Sequence, residues 1–295
     1  MDIKNYLQAK KQSVDSFFRS YFDGQRRPAV LQEAMLYSLF AGGKRVRPVL
    51  VMAAYEACGR NASEIVPYAS ALELIHTYSL IHDDLPAMDD DDLRRGKPTS
   101  HKVYGEAIAI LAGDALLTEA FCILSDPSLC PSVRESDLLR ASREIAVAAG
   151  SDGMVGGQVQ DILSEDAEPD ADTLQFIHSH KTAALLSASV KAGGILAGGG
   201  QEQVGALAVY GENIGHAFQV IDDILDVVGD TKEMGKTVGS DQKINKMTYP
   251  RLYGVEKSRQ IARKLVDDAV ASLGIFPPAA EPLREIARYL LQRRS

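Results

Sequence analysis

Apolar residues in this chain recur at three- and four-residue spacing over most of its length, and two-residue alternation is scarce. The first pattern lays an apolar stripe along one side of an α-helix; a strand needs the second. The spacing predicts helices over 31–39, stopped by Gly42-Gly43, over 46–58, stopped by Gly59, over 63–85, and over 107–124. Ser132-x-x-Glu135 and Asp172-x-x-Gln175 read as capping boxes opening helices towards Ala149 and Ala192. Further helices are expected over 203–228, 258–273 and 282–294, the last with Pro282 in its first turn. Gly211 and Gly215 lie four apart, so they share a helix face and permit a neighbouring helix to come close. No linker composition interrupts the pattern. The expectation is a single all-α domain over 1–295, with an N-terminal helical segment 1–28, a motif-bearing core 29–255 and C-terminal helices 256–295.

At 295 residues such a chain can bury about three quarters of its unfolded surface. With 24% charged and 45% hydrophobic residues, wholesale disorder is excluded. Cys58, Cys122 and Cys130 show no C-x-x-C spacing, so they form neither a disulfide framework nor a zinc knuckle, and a reducing compartment is expected. The first 23 residues mix acids, bases and isolated apolar side chains. That is no secretory h-region, and a cytoplasmic protein is expected. The most apolar stretches are interrupted by Asp114 and Glu119, or by Lys191, so neither a spanning segment nor membrane insertion is expected. A net charge of -8 argues against nucleic acid as the main partner.

That charge is concentrated. Asp83, Asp84 and Asp89 to Asp92 form one cluster, and Asp222, Asp223 and Asp226 a second; without these nine carboxylates the net charge would be +1. Asp222 and Asp226, at i and i+4, share a helix face, and like charges so placed destabilise a bare helix. They suit a hard cation, which prefers oxygen. Apolar residues bracket them closely, at Val220-Ile221 and Ile224-Leu225, which a merely solvated acidic face would not require. In the first cluster Asp83 and Asp89 are six apart, roughly 120° out of register in a continuous helix. Pro86 disfavours helical geometry at Leu85, so the helix ends there and the next turn brings Asp89 back beside Asp83. Arg94 and Arg95 follow at once. Acids followed by paired arginines suggest a metal-bridged anion with guanidiniums on its outer oxygens.

Two more patches are basic. In Gly42-Gly43-Lys44-Arg45-Val46-Arg47-Pro48, Lys44 and Arg47 lie near a helix start and suit an anion. Gly235-Lys236-Thr237 invites a P-loop reading, but five residues rather than four separate Gly229 from Gly235, and a helix rather than a strand precedes it. The nucleotide reading is rejected.

Taken together, these residues resemble the trans-isoprenyl diphosphate synthase family. His76 to Gly96 is similar, almost residue for residue, to the first aspartate-rich motif of its bacterial farnesyl diphosphate synthases. Gly42 to Pro48 resembles G-G-K-R-x-R-P, and Phe218 to Asp226 the second aspartate-rich motif. Gly157-Gln158 with Asp161, Lys181-Thr182, and Lys236 through Tyr249 also fit. Departures are small: Ala183 stands for a frequent glycine, His216 for leucine and Leu36 for arginine.

The resemblance implies the all-α isoprenoid synthase fold, about ten or more helices around a central cavity, in a homodimer. It implies condensation of isopentenyl diphosphate with dimethylallyl and geranyl diphosphate to farnesyl diphosphate. Metal ligands would be Asp83, Asp84, Asp89, Asp222, Asp223 and Asp226, holding three magnesium ions, with manganese as a substitute. Arg94, Lys181, Lys236 and Lys246 would hold the allylic diphosphate; Lys44, Arg47, His76 and Arg95 would hold isopentenyl diphosphate. Thr182 and Gln219 would turn oxygens towards the developing cation, completing with Lys181 and Lys236 the catalytic set. His82 reads as structural or as support for the metal ligands, and released diphosphate as the base. Tyr78 lies about 7.5 Å down the helix from Asp83. With Ser79 it would set chain length, an aromatic ring there resembling the C15 type. Competing readings are a C20 synthase of the same fold, a terpene cyclase, a silent partner subunit and a metal-dependent binding module. The intact second aspartate motif and the basic patches favour condensation.

Overall fold

The computed structural model describes residues 1–24, 28–165, 168, 170–228 and 248–293. Among them, regular structure is almost wholly helical, in two compact units: Leu7–Val49 with Ser63–Ser132, and Met1–Tyr6 with Leu50–Ala62 and Val133–Ser295.

The first unit holds most of α1 (Ile3–Tyr21), all of α2 (Ala29–Leu39) and the first turn of α3 (Val46–Ala57). Helix α4 (Val66–Asp83) follows, then a two-stranded hairpin, then α5 (Ser100–Tyr104) and α6 (Glu106–Leu124). Helix α4 packs on α2 and α6. Tyr68 to Ile75 is buried without a break, as befits a helix apolar nearly all round. It ends at Asp83, and Asp84 closes it by donating its backbone N–H to the Leu80 carbonyl at 3.1 Å, just before Pro86.

The hairpin was not visible in the sequence. Leu93–Arg94 (β1) pairs antiparallel with Lys97–Pro98 (β2), with Arg94 opposite Lys97. Its loop is Arg95-Gly96, at φ +54° and +74°, the double left-handed turn that matches strand twist.

Helix α6 corrects one expectation. Despite Asp114 and Glu119 it is long and apolar enough to cross a membrane by length and composition. Both acids are used within the unit: Tyr21 Oη donates to Glu119 Oε1 at 2.6 Å, and Asp114 lies 3.9 Å from His82.

The second unit contains the rest of α3, α7 (Glu135–Ala149), α8 (Met154–Leu163), α9 (Ala171–Ile177), a π-helical turn (His178–Ala183), α10 (Ala184–Leu196), α11 (Gln201–Val228), α12 (Tyr249–Tyr253), α13 (Val255–Ser272) and α14 (Glu281–Leu290). Helix α11 is central and packs on α10 and α13. Neither expected capping box forms. Glu135 is the first residue of α7 rather than the third, and Arg134 precedes it, its Nε donating to Asp137 Oδ2 at 2.7 Å. Helix α9 is capped by Asp170, which accepts from the Thr173 N–H at 2.8 Å, two residues before the expected cap. Helix α14 stops at Leu290, short of the expected end.

Candidate active site

In the first unit the end of α4 and the hairpin bring acids and bases together. The Asp89 N–H donates to the Asp83 carbonyl at 2.9 Å, so the turn after Pro86 returns Asp89 beside Asp83 as expected. Asp90, at φ +48°, continues the turn. Arg94 Nε donates to Asp84 Oδ1 at 2.7 Å and its Nη2 to the same oxygen; Nη2 also reaches Asp91 at 3.3 Å. Asp84 is buried, and desolvation raises its pKa despite Arg94.

Arg95, at the hairpin tip, donates through Nη1 to the Gly42 carbonyl. Gly42 and Gly43 have φ of +120° and +112°, and a Cβ on Gly43 would lie 2.8 Å from Arg95 Cζ. Both the backbone and the guanidinium therefore exclude a side chain there. Next in the chain, Lys44 is exposed, Arg45 buried and Arg47 half-buried. His76 has its pKa held well below the usual range, first by desolvation and then by Arg47, Arg95, Arg94 and Arg45. It is a neutral imidazole in an electropositive setting suited to a polyanion. Thr77, Asp84, Arg94, Arg95 and Ser100 line an open cleft.

One helical turn away, Tyr78 is 8% exposed. Its ring meets His82 edge-on at 5.7 Å. Ser79 Oγ donates to the His76 carbonyl at 3.0 Å. His82 Nε2 donates to the Ile110 carbonyl at 3.0 Å, in space left by Gly113 on α6. His82 therefore joins two helices, in keeping with its structural reading.

In the second unit the functional side chains gather on α11 and the π-helical turn. Such a turn adds one residue to a helical coil and is frequent at functional sites. Lys181 Nζ pairs with Asp161 of α8 at 2.6 Å, and Thr182 Oγ1 donates to Gln219 Oε1 at 2.8 Å. Gln219 Nε2 donates to Asp223 Oδ1 at 2.9 Å, and the Tyr249 N–H to Asp223 Oδ2 at 3.0 Å. Asp223 is thus buried with both oxygens engaged; His178 Nε2 stands 3.6 Å away. Asp226 is buried one turn further on. Asp222 is the more accessible and pairs with Arg293 at 3.0 Å. Arg293 also covers the Phe218 ring at 4.5 Å, whereas Arg288 pairs with Glu281 and Glu285 on its own helix.

Small residues make this arrangement possible. A Cβ on Gly211 would lie 2.7 Å from Ser187 Cα, and one on Gly215 2.6 Å from Ala183 Cα. The expected close approach is thus made by α10 and the π-helical turn, and Gly215 accommodates the Ala183 methyl. Gly157 of α8 likewise has no room for a Cβ against the backbone of Lys181. His216 touches the same turn, its Nε2 3.4 Å from Ser179 Oγ.

Lys236 and Lys246, with the Gly235-Lys236-Thr237 patch, lie outside the described residues. Among the described residues, no group of three His, Cys, Asp or Glu side chains gathers closely enough to hold an ion by itself. The donor chemistry still fits magnesium, which takes one or two carboxylates per ion and fills its shell with water and substrate phosphate.

The fold is an all-α scaffold of the isoprenoid synthase type, carrying clustered acidic and basic side chains. The chain belongs to the polyprenyl synthetase family, whose model matches residues 28–273. It is 48% identical over 301 positions to geranylgeranyl pyrophosphate synthase 11, chloroplastic, of Arabidopsis thaliana, covering 100% of this chain and 83% of that one. It is 46% identical to a dimethylallyltranstransferase of Fischerella ambigua, over 99% of this chain and 84% of that protein. The crystal structure of an FPP/GFPP synthase from Zymomonas mobilis superimposes with a TM-score of 0.88 at 39% identity, covering 98% of this chain and 99% of the other. The chain is accordingly a trans-prenyl diphosphate synthase.

Proposed function

We propose that this enzyme joins isopentenyl diphosphate head-to-tail to dimethylallyl and then geranyl diphosphate, releasing farnesyl diphosphate. The observation that carries the reading is the end of α4, where Asp83, Asp84 and Asp89 are followed within one hairpin by Arg94 and Arg95. Carboxylates for a metal and guanidiniums for its anion thus come from one short stretch of chain. Asp83, Asp84, Asp89, Asp222, Asp223 and Asp226 would hold magnesium, three ions in all, with manganese able to substitute. Bound there, the metal supplies Lewis-acid stabilisation of the departing diphosphate.

The protein's own groups do the rest. Arg94 and Lys181, with Lys236 and Lys246, neutralise the allylic diphosphate. Lys44, Arg47, His76 and Arg95 orient isopentenyl diphosphate. The Thr182 hydroxyl hydrogen is committed to Gln219, which leaves its lone pairs for the allylic cation formed as the C1–O bond breaks. Gln219 is held by Thr182 and Asp223 from either side, so its carbonyl dipole is preorganised. The alkene of isopentenyl diphosphate then attacks the cation, and the proton lost passes to the released diphosphate.

The C15 product rests on Tyr78, a buried ring below Asp83. A C20 product is the second reading, favoured by the name of the Arabidopsis relative. A second copy of this chain would cover α6, where the apolar Ile110 and Leu111 are 42% and 53% exposed. The three unpaired cysteines suit the cytoplasm.

Purified protein would be incubated with magnesium, dimethylallyl diphosphate and labelled isopentenyl diphosphate, beside a chelated control. Products would then be dephosphorylated and sized. Metal-dependent C15 alcohol is the expected result. C20 alcohol transfers the assignment to the second reading, and no condensation by folded protein refutes both.

A further inference from the structure

We propose that Arg45, to which the reaction above gives no role, is a positioning residue for the isopentenyl diphosphate end of the site. It holds the loop that carries Lys44 and Arg47 and that receives Arg95. The proposal rests on the assignment of those three residues to isopentenyl diphosphate.

Arg45 is 3% exposed, and its guanidinium is satisfied from three directions. Nε donates to Asp15 Oδ1 of α1 at 2.9 Å, Nη1 to Glu73 Oε1 of α4 at 2.9 Å, and Nη2 to the Leu39 carbonyl at 2.6 Å. Leu39 ends α2, so its carbonyl has no partner inside that helix. Nη1 also reaches the Gly42 carbonyl at 3.4 Å, the same oxygen that accepts from Arg95. One carbonyl therefore links the buried guanidinium to that of Arg95.

The backbone points the same way. Arg45 has φ +53°, rare for a residue with a side chain, and such conformations persist where the surroundings over-determine them. Turning the chain through this residue sends Arg45 inward between an exposed Lys44 and a half-buried Arg47. Glu73 lies one turn before His76 and Thr77, and its backbone carbonyl accepts from Thr77 Oγ1 at 2.7 Å. The loop is thus tied to the part of α4 that faces the cleft.

A buried ion pair is weak evidence for stability, because desolvation offsets the attraction; fixing one geometry is its better-attested use. Among the described residues, Glu73 Oε2 is buried without a hydrogen-bond partner, which fits a pair kept for geometry. A lysine cannot replace Arg45 in this, since its single nitrogen cannot reach acceptors spread over Nε, Nη1 and Nη2 of the planar fork.

The test compares Arg45→Lys and Asp15→Asn with the unaltered enzyme. KM would be measured for each substrate, with isopentenyl diphosphate affinity by calorimetry and the thermal midpoint beside it. Arg45→Lys should raise KM and Kd for isopentenyl diphosphate roughly 10- to 100-fold, while KM for the allylic substrate stays within about twofold. Asp15→Asn, whose side chain is 24% exposed, should act in the same direction more weakly and keeps the test open if Arg45→Lys does not fold. A fall in thermal midpoint with both KM values unchanged, or both raised alike, overturns the proposal and leaves Arg45 a folding staple. Failure of the unaltered protein to condense the substrates would instead refute the assigned reaction.

Discussion

Replacing Gly215 by alanine tests how closely α11 must approach the π-helical turn. The added Cβ would lie 2.6 Å from both Cα and Cβ of Ala183 and 3.1 Å from its carbonyl oxygen. Carbon atoms in contact sit about 3.5–4.0 Å apart, so the two segments must separate by roughly 1 Å. Most of the obstruction is backbone, which cannot rotate away. Overpacking of this kind costs about 1–3 kcal/mol, and the better helix propensity of alanine returns about 1 kcal/mol. The net loss is about 0–2 kcal/mol, and each kcal/mol lowers the midpoint of a chain this size by about 2–4 °C. Activity should suffer more. Thr182 adjoins Ala183, and its 2.8 Å hydrogen bond to Gln219 would stretch beyond useful range, lowering kcat by about 100-fold. Gly205, on the same helix with open space around it, is the control: Gly205→Ala should gain up to about 1 kcal/mol and keep full activity. Circular-dichroism melts and steady-state kinetics on both variants decide the matter. If Gly215→Ala matched Gly205→Ala in both, the packing argument would be wrong.

Three other outcomes are expected. Tyr78→Ala should give products longer than C15; an active variant with the parental product profile removes Tyr78 as the chain-length limit. His76 has its folded pKa lowered by burial and by neighbouring guanidiniums. The unfolded chain therefore takes up that proton first, and stability falls as pH drops below about 6.5 by at most about 1.4 kcal/mol per unit. Urea titrations at falling pH should show His76→Gln losing less stability than the parent, and parallel losses would contradict this. If the proposed dimer forms through α6, Leu111→Asp, at a side chain 53% exposed, should shift sedimentation from dimer to monomer without lowering the midpoint by a core-sized amount; a parent that sediments as a monomer, or a variant that stays dimeric, refutes that interface.

Features set by neighbours within a turn or two were legible in the sequence. Pro86 ends α4 and the turn that follows returns Asp89 to Asp83; Gly211 and Gly215 open one face of α11; Gly42-Gly43 stop α2. The hairpin leaves no alternation in the sequence because its strands are two residues long, although Arg95-Gly96 is a fair turn signal. Neither capping box forms; a serine or aspartate near a helix start looks alike at several registers. The π-helical turn has no residue signature; what accompanies it, the close packing of Lys181 and Ala183 against Gly157 and Gly215, is tertiary.

What the sequence by itself determined is the helical class, the two aspartate clusters and the family, since periodicity, charge pattern and motif spacing are properties of short segments. What only the tertiary structure decided is the environment of each charge. Arg45, one of three cations in its patch, is buried because Asp15 and Glu73, 30 and 28 residues away along the chain, meet its guanidinium. Asp223 is tied to Gln219 and Tyr249, whereas Asp222 faces Arg293. Burial and ion pairing depend on which distant segments share a space, and no local pattern carries that information.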